Sequence, residues 1–339
     1  MRAWTAVLVL VALAAPPLAA EPLTAEAVGQ RLGFDADAKR RLLAGEIVAT
    51  ETEETTARQL AIVVALLVKG DRDQLATALL EGQTLEANPA VLDFGRIDPE
   101  APEASLASVA FGRDEVAEVR RLLEAQPGQE LNLSSEELAT LQQLVAQHDP
   151  RQAGNPGTIQ AVNEAYRGIL AGRLRAYLDR GLAGIAPYER GGAATDAAGE
   201  LRAAAEAAEL LREAAPELHQ ALLDFPEHQP DDVEHAFFWV KEMANDRPVF
   251  RLSHRMVQRR PDVVVLLERT FFAGHSFNGS QAVAGVLPVT EGHAVFYSNR
   301  TSSDLVAGFM QSIRQRVGRG MMRDTLIDSF RAIRTQWGG

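Results

Sequence analysis

AFFWVKEM (Ala236–Met243), RPVFRLSHRMV (Arg247–Val257), VVVLLERTFF (Val263–Phe272) and HAVFYSNR (His293–Arg300) are the stretches whose reading decides the fold. Each is rich in β-branched and aromatic residues, the composition of strands. The second alternates: Phe250, Leu252, His254 and Met256 share one face, opposite Arg251, Ser253 and Arg255. Arg259–Asp262 and Glu291-Gly292 read as turns, and Ser276–Leu287 as a further strand. Short turns between successive strands require antiparallel pairing, because parallel neighbours need long crossovers.

Ser302, Ser303 and Asp304 are capping candidates for a long final helix. Its apolar positions are Val306, Phe309, Met310, Ile313 and Val317, then Met322, Leu326, Phe330, Ile333 and Trp337 after Gly318-Arg319-Gly320. At about 100° per residue the two stripes lie half a turn apart, so the helix either kinks at the glycines or is covered on both sides.

Upstream, Thr24–Leu43 reads as a short helix and GEIVATETEE from Gly45 as a small strand. LAIVVALLV (Leu60–Val68), too short for an ordinary helix and β-branched, reads as a strand buried on both faces. DQLATALLE follows Asp71-x-Asp73, which reads as a helix-start charge pair, and Ala90–Ile97 is another strand. From Asp114 the text becomes helical. Ser134-x-x-Glu137 is a capping-box pattern, and a 3.6-residue stripe runs from Thr158 to Leu182. Tyr188–Asp196 reads as a loop and Ala197–Leu223 as an alanine-rich helix interrupted at Pro216.

Residues 1–20 carry Arg2, an apolar core from Ala6 to Ala15, then Pro16, Pro17, Ala19 and Ala20. That is the layout of a secretory signal peptide cut near Ala20, and the competing reading, a membrane anchor, requires a longer apolar core. The expected organisation is therefore a signal peptide (1–20), a strand-rich lead-in that joins the C-terminal sheet (21–113), a helical segment (114–224), and an antiparallel sheet with its C-terminal helix (225–339). A periplasmic or secreted location follows, with a mature chain that does not span the membrane. The 339 residues contain no cysteine, which removes disulfides, thiolate metal sites and thiol nucleophiles. Net charge is −12, yet residues 251–339 hold twelve Arg against six acidic residues. The overall acidity and the export signal disfavour nucleic acid as a partner.

The order of elements resembles the START-like helix-grip superfamily, which includes plant pollen allergens and lipid-transfer domains. The resemblance rests on GEIVATETEE, LAIVVALLV and DQLATALLE at the start and on FYSNR leading into the last helix, over about residues 45–100 and 234–337. The final block is also similar to exported bacterial proteins of unknown function. The helical segment departs from the pattern and stands as an insertion or a separate domain. The fold class is thus read as α+β, an antiparallel sheet closed by a long C-terminal helix. The resemblance implies an apolar cavity between a curved sheet and that helix.

His254, Glu268, His275, His293 and Tyr297 fall on or beside the C-terminal strands. They are either polar anchors around one cavity or separate core and rim residues, since no spacing rule ties them together. With Phe309 and Ile313 of the last helix, His254, Glu268, His275 and Tyr297 form the candidate ligand-binding set. Arg314, Arg319 and Arg323 are candidate contacts for an anionic group, or a solvated face. Gly274-His275-Ser276-Phe277-Asn278 lacks the second glycine of a nucleophile elbow. No phosphate loop or metal-binding spacing occurs, so no catalytic set, metal or cofactor is expected. The leading expectation is non-catalytic binding of a lipid-like, hydrophobic or amphipathic small molecule. The alternative is an envelope protein that docks a protein partner through its helical segment, and an enzyme using His254, His275 or Glu268 stands third.

Overall fold

A computed structural model describes residues 23–82, 85, 88–261, 263–306, 323, 327, 330, 331 and 333–335. The helices are α1 (Ala25–Arg31), α2 (Ala36–Leu43), α3 (Arg72–Gly82), α4 (Pro102–Ser105), α5 (Val116–Leu123), α6 (Ser135–Val145), α7 (Pro156–Arg180), α8 (Ala197–Glu206), α9 (Glu209–Ala214) and α10 (Pro216–Asp224). The strands are β1 (Val48–Glu51), β2 (Gln59–Val68), β3 (Val91–Ile97), β4 (Tyr188–Glu189), β5 (Ala194–Thr195), β6 (Val233–Ala244), β7 (Arg247–Arg260), β8 (Val263–Ala273), β9 (Gly279–Val289) and β10 (Gly292–Ser302).

Eight strands form one antiparallel sheet in the order β1-β2-β10-β9-β8-β7-β6-β3. The chain is α+β. The meander β6 to β10 follows from the short turns. The outer positions do not: β2 pairs with β10 and β3 with β6 across long separations in sequence.

Both faces of the sheet are covered, which explains the unbroken apolar text of β2 and β8. Val63, Ala65, Val263, Val265 and Leu267 join the cluster built with α1, α2 and the helices of 102–224. Val64, Leu66, Val68, Val264, Ala284 and Val286 face the other way and pack with Leu75 and Leu79 of α3. A bulge between Leu252 and Ser253 of β7 leaves one extra residue on β8. Consecutive Phe271 and Phe272 thereby both join the helical side, which strict alternation would forbid.

Local signals explain most helix ends. Thr24 Oγ1 accepts from Ala27 N–H at 3.0 Å, and Asp35 Oδ1 from Ala38 N–H at 2.8 Å. The expected single helix over Thr24–Leu43 is therefore two, broken at Gly33 with φ +78°. Asp71 Oδ1 accepts from Asp73 and Gln74 N–H at 3.0 Å each, so this pair starts α3 as expected. The capping box of α6 is formed: Ser134 Oγ accepts from Glu137 N–H, and Glu137 Oε2 from Ser134 N–H at 2.7 Å. The expected loop Tyr188–Asp196 contains the hairpin β4–β5, with Gly191 and Gly192 at positive φ in its turn. The alanine-rich helix breaks at Ala207–Ala208 as well as at Pro216, giving three short helices. Gly181, at φ +54°, ends α7 where a Cβ would lie 1.7 Å from the Phe225 carbonyl oxygen. Only glycine lets α7 approach Phe225 so closely.

The long final helix predicted from the sequence is not carried by the described residues. Asp304–Val306 forms a 3-10 turn, and Phe309, Met310, Ile313 and Val317, like residues 1–20, lie outside them. Phe330 and Ile333 are helical and buried with α3 against the sheet. Among the described residues no helix is long and apolar enough to cross a membrane.

Candidate functional site

On the α3 side of the sheet, β7 presents Arg251, Ser253 and Arg255, β8 presents Leu266, Glu268 and Thr270, and β9 presents Ser280 and Ala282. Tyr297, Asn299 and Thr301 of β10 complete that face, since alternate residues share one side. Register aligns them in rows. Arg255 stands opposite Glu268, Glu268 opposite Ala282, and Ala282 opposite Asn299; Ser253, Thr270, Ser280 and Thr301 form the next row. Small side chains in mid-row leave a cavity of about 410 Å³, whose described lining includes these polar residues other than Ser253, with Leu85, Leu266 and Phe277 as apolar wall. That volume lies in the range of small-molecule sites.

The floor of the cavity is ionic. Arg251 donates to Glu242 Oε2 through Nε at 2.9 Å and to Glu268 Oε1 through Nη1 at 2.8 Å. Arg255 Nε reaches the second oxygen of Glu268 at 3.1 Å. Ser253 and Thr270 hydroxyls are 3.2 Å apart beside Arg251. Burial works against the Glu268 carboxylate, but Arg251 and Arg255 outweigh it and hold the group below its usual range. Burial likewise disfavours the charge on Arg251, and Glu268 and Glu242 more than restore it. At the far wall Asn299 Nδ2 donates to Tyr297 Oη and to Ser280 Oγ at 3.3 Å each, and Thr301 Oγ1 donates to Asn299 Oδ1 at 2.7 Å. Burial raises the Tyr297 phenol further above neutrality, so it stays protonated.

The structure brings Glu268 and Tyr297 together, and it separates His254 and His275 from them. His254 points to the opposite, helical face, where Tyr177, Phe225, Phe237 and His235 surround it. A hydrogen-bonded chain runs there: Arg269 Nη1 donates to Tyr177 Oη at 3.5 Å, Tyr177 Oη lies 3.0 Å from His254 Nδ1, and His254 Nε2 lies 2.9 Å from His235 Nδ1. Burial, then His235 and Arg269, push the His254 imidazole well below its ordinary value, so it is neutral and both ring nitrogens are engaged. His254 is a packed core histidine.

His275 lies in the turn after β8. Its Nε2 donates to Pro248 O at 3.1 Å, so Nδ1 accepts from Ser276 Oγ at 2.7 Å. Burial, reinforced by Arg247, lowers it from 6.5 to about 4. Because the folded value is depressed, the unfolded chain binds this proton first as pH falls. Stability is full above about pH 6.5 and is lost on descending to about 4, at about 1.4 kcal/mol per unit. A loss of about 3 kcal/mol is expected from this residue, and urea unfolding of His275→Gln at pH 7 and pH 4 should show that much less pH dependence. An unchanged slope would refute the assignment.

Phe309, Ile313, Arg314 and Arg319 lie outside the described residues; Arg323 is helical and exposed. Arg251, Arg255, Glu242, Ser280 and Thr301 belong to the site although the sequence reading did not single them out for it. Their signal was the alternation of RPVFRLSHRMV, which needs the register of β8 to show that Glu268 faces Arg251 and Arg255. Arg300 donates to Glu53 O at 2.7 Å, and Asp304 pairs with Arg190 at 2.8 Å. The chain matches no protein-family model, no curated protein and no solved structure.

Proposed function

We propose that this is an exported, non-catalytic binding protein for an amphipathic small molecule, held on the α3 side of the sheet. The supporting observation is the cavity itself: about 410 Å³, with an ion-paired polar floor and the apolar side chains Leu85, Leu266 and Phe277. An apolar tail finds surface on one wall and a polar end finds paired donors and acceptors on the floor. The helix-grip likeness belongs to the same reading, since that superfamily's cavity lies on a covered sheet face. His254 and His275 drop out of the ligand set, while Glu268 and Tyr297 remain in it.

Ala282 sits mid-row in the cavity with 8% exposure, and Ala282→Trp fills the space. Native mass spectrometry of protein purified from its own envelope should show a small bound mass on the wild type. In Ala282→Trp, with an unchanged circular dichroism spectrum, occupancy should fall at least about tenfold, equivalent to ~1.4 kcal/mol. A bound mass that survives the substitution places the ligand elsewhere, and a bare wild type removes the support for binding.

A further inference from the structure

Resting on that reading, we propose that the polar end of the ligand is an uncharged, hydroxyl-rich headgroup of the glycosyl type. The described charged side chains lining the cavity are Glu242, Arg251, Arg255 and Glu268, two of each sign. They alternate in space: Glu242 pairs with Arg251, Arg251 with Glu268, and Glu268 with Arg255. Each is largely buried, with side-chain exposures between 8% and 17%. A sulfate, carboxylate or ammonium headgroup would enter a set whose described charges already neutralise one another, and so would bring in a buried charge with no described counter-ion left over. Burying such a charge is unfavourable, because it loses its hydration with nothing to offset it.

A hydroxyl group both donates and accepts, and the floor presents one group of each kind that no other described residue engages. Arg251 uses Nε and Nη1 within the protein, which leaves Nη2 as a donor without a partner among the described residues. Glu242 takes Arg251 on Oε2, which leaves Oε1 as an acceptor. One hydroxyl can accept from the guanidinium while its neighbour donates to the carboxylate, with no charge moved. Opposite them Tyr297, Asn299, Ser280 and Thr301 form a ladder of hydroxyl and amide groups. Phe277 adds an aromatic ring to the wall. Arginine–carboxylate pairs, amides and one ring are the chemistry that takes up several hydroxyls of one small ring at once.

Isothermal titration with octyl β-D-glucoside, octyl sulfate, octyltrimethylammonium and methyl β-D-glucoside tests this. The octyl glucoside should bind the wild type at least about tenfold more tightly than either charged octyl probe, a difference of ~1.4 kcal/mol. Asn299→Ala should weaken it by a similar factor, and Ala282→Trp should abolish it. Equal or tighter binding of a charged octyl probe overturns the glycosyl headgroup and leaves the amphipathic reading standing. Methyl glucoside binding as tightly as octyl glucoside supports the headgroup and overturns the need for a tail. No heat from any of the four probes overturns both.

Discussion

Glu268→Ala is expected to lower the unfolding free energy by about 3–5 kcal/mol, the cost of leaving buried guanidinium groups without their carboxylate. The carboxylate receives Arg251 on one oxygen and Arg255 on the other, so one truncation removes a partner from both. Arg251 retains Glu242. The Arg255→Met/Glu268→Leu double variant should recover at least half of it, because an apolar pair of similar volume has no charge to desolvate. Denaturant unfolding of the wild type, Arg255→Met, Glu268→Leu and the double variant gives the coupling directly. A loss under about 1 kcal/mol would mean that water screens the pair as it does at a surface. The sign with pH is also set. Glu268 is depressed below its ordinary 4.5, so its contribution is present above that value and fades as pH falls through the folded value.

Tyr177→Ala should cost as much, about 3–5 kcal/mol, for a different reason. The ring is fully buried, stacked on Phe271 with centroids 4.0 Å apart and planes within 3°, and on Phe225 at 5.2 Å. It joins α7 to β8 of the sheet, as Tyr166 of α7 does to Phe250 of β7. Tyr177→Phe keeps the stack and removes the hydroxyl between Arg269 and His254, both 1% exposed. That change alone should cost about 1–3 kcal/mol, the penalty for orphaned buried polar groups. Thermal or denaturant unfolding of the two variants separates stacking from hydrogen bonding. A phenylalanine variant as stable as the wild type would show that the hydroxyl contributes nothing.

Much of the architecture was legible because it depends on local chemistry. Period-two alternation and short turns set the antiparallel meander from β6 to β10. The unbroken apolar text of LAIVVALLV required a strand covered on both sides. Ser134 with Glu137, and Asp71 ahead of α3, satisfy backbone N–H groups within a few residues of themselves. The break at Gly33 is local too: Gly33 takes a positive φ and Asp35 caps the helix that follows.

The candidate site was legible only in fragments. His254 and Glu268 lie fourteen positions apart on neighbouring strands, and nothing in that spacing says they face opposite ways. A register shift of one residue would exchange the faces. The observed bulge beside Leu252 makes such a shift locally, bringing Phe271 and Phe272 to the same side. By itself, then, the sequence determined the strands, most caps and the α+β class. Tertiary structure decided that β2 and β3 flank the β6–β10 meander, that the helices of 102–224 share a core with one face, and that Arg251, Arg255, Glu268 and Tyr297 meet on the other. The physical reason is range: caps and turns act within a few residues, whereas the face a side chain occupies is fixed by hydrogen-bond registry between strands far apart in the chain.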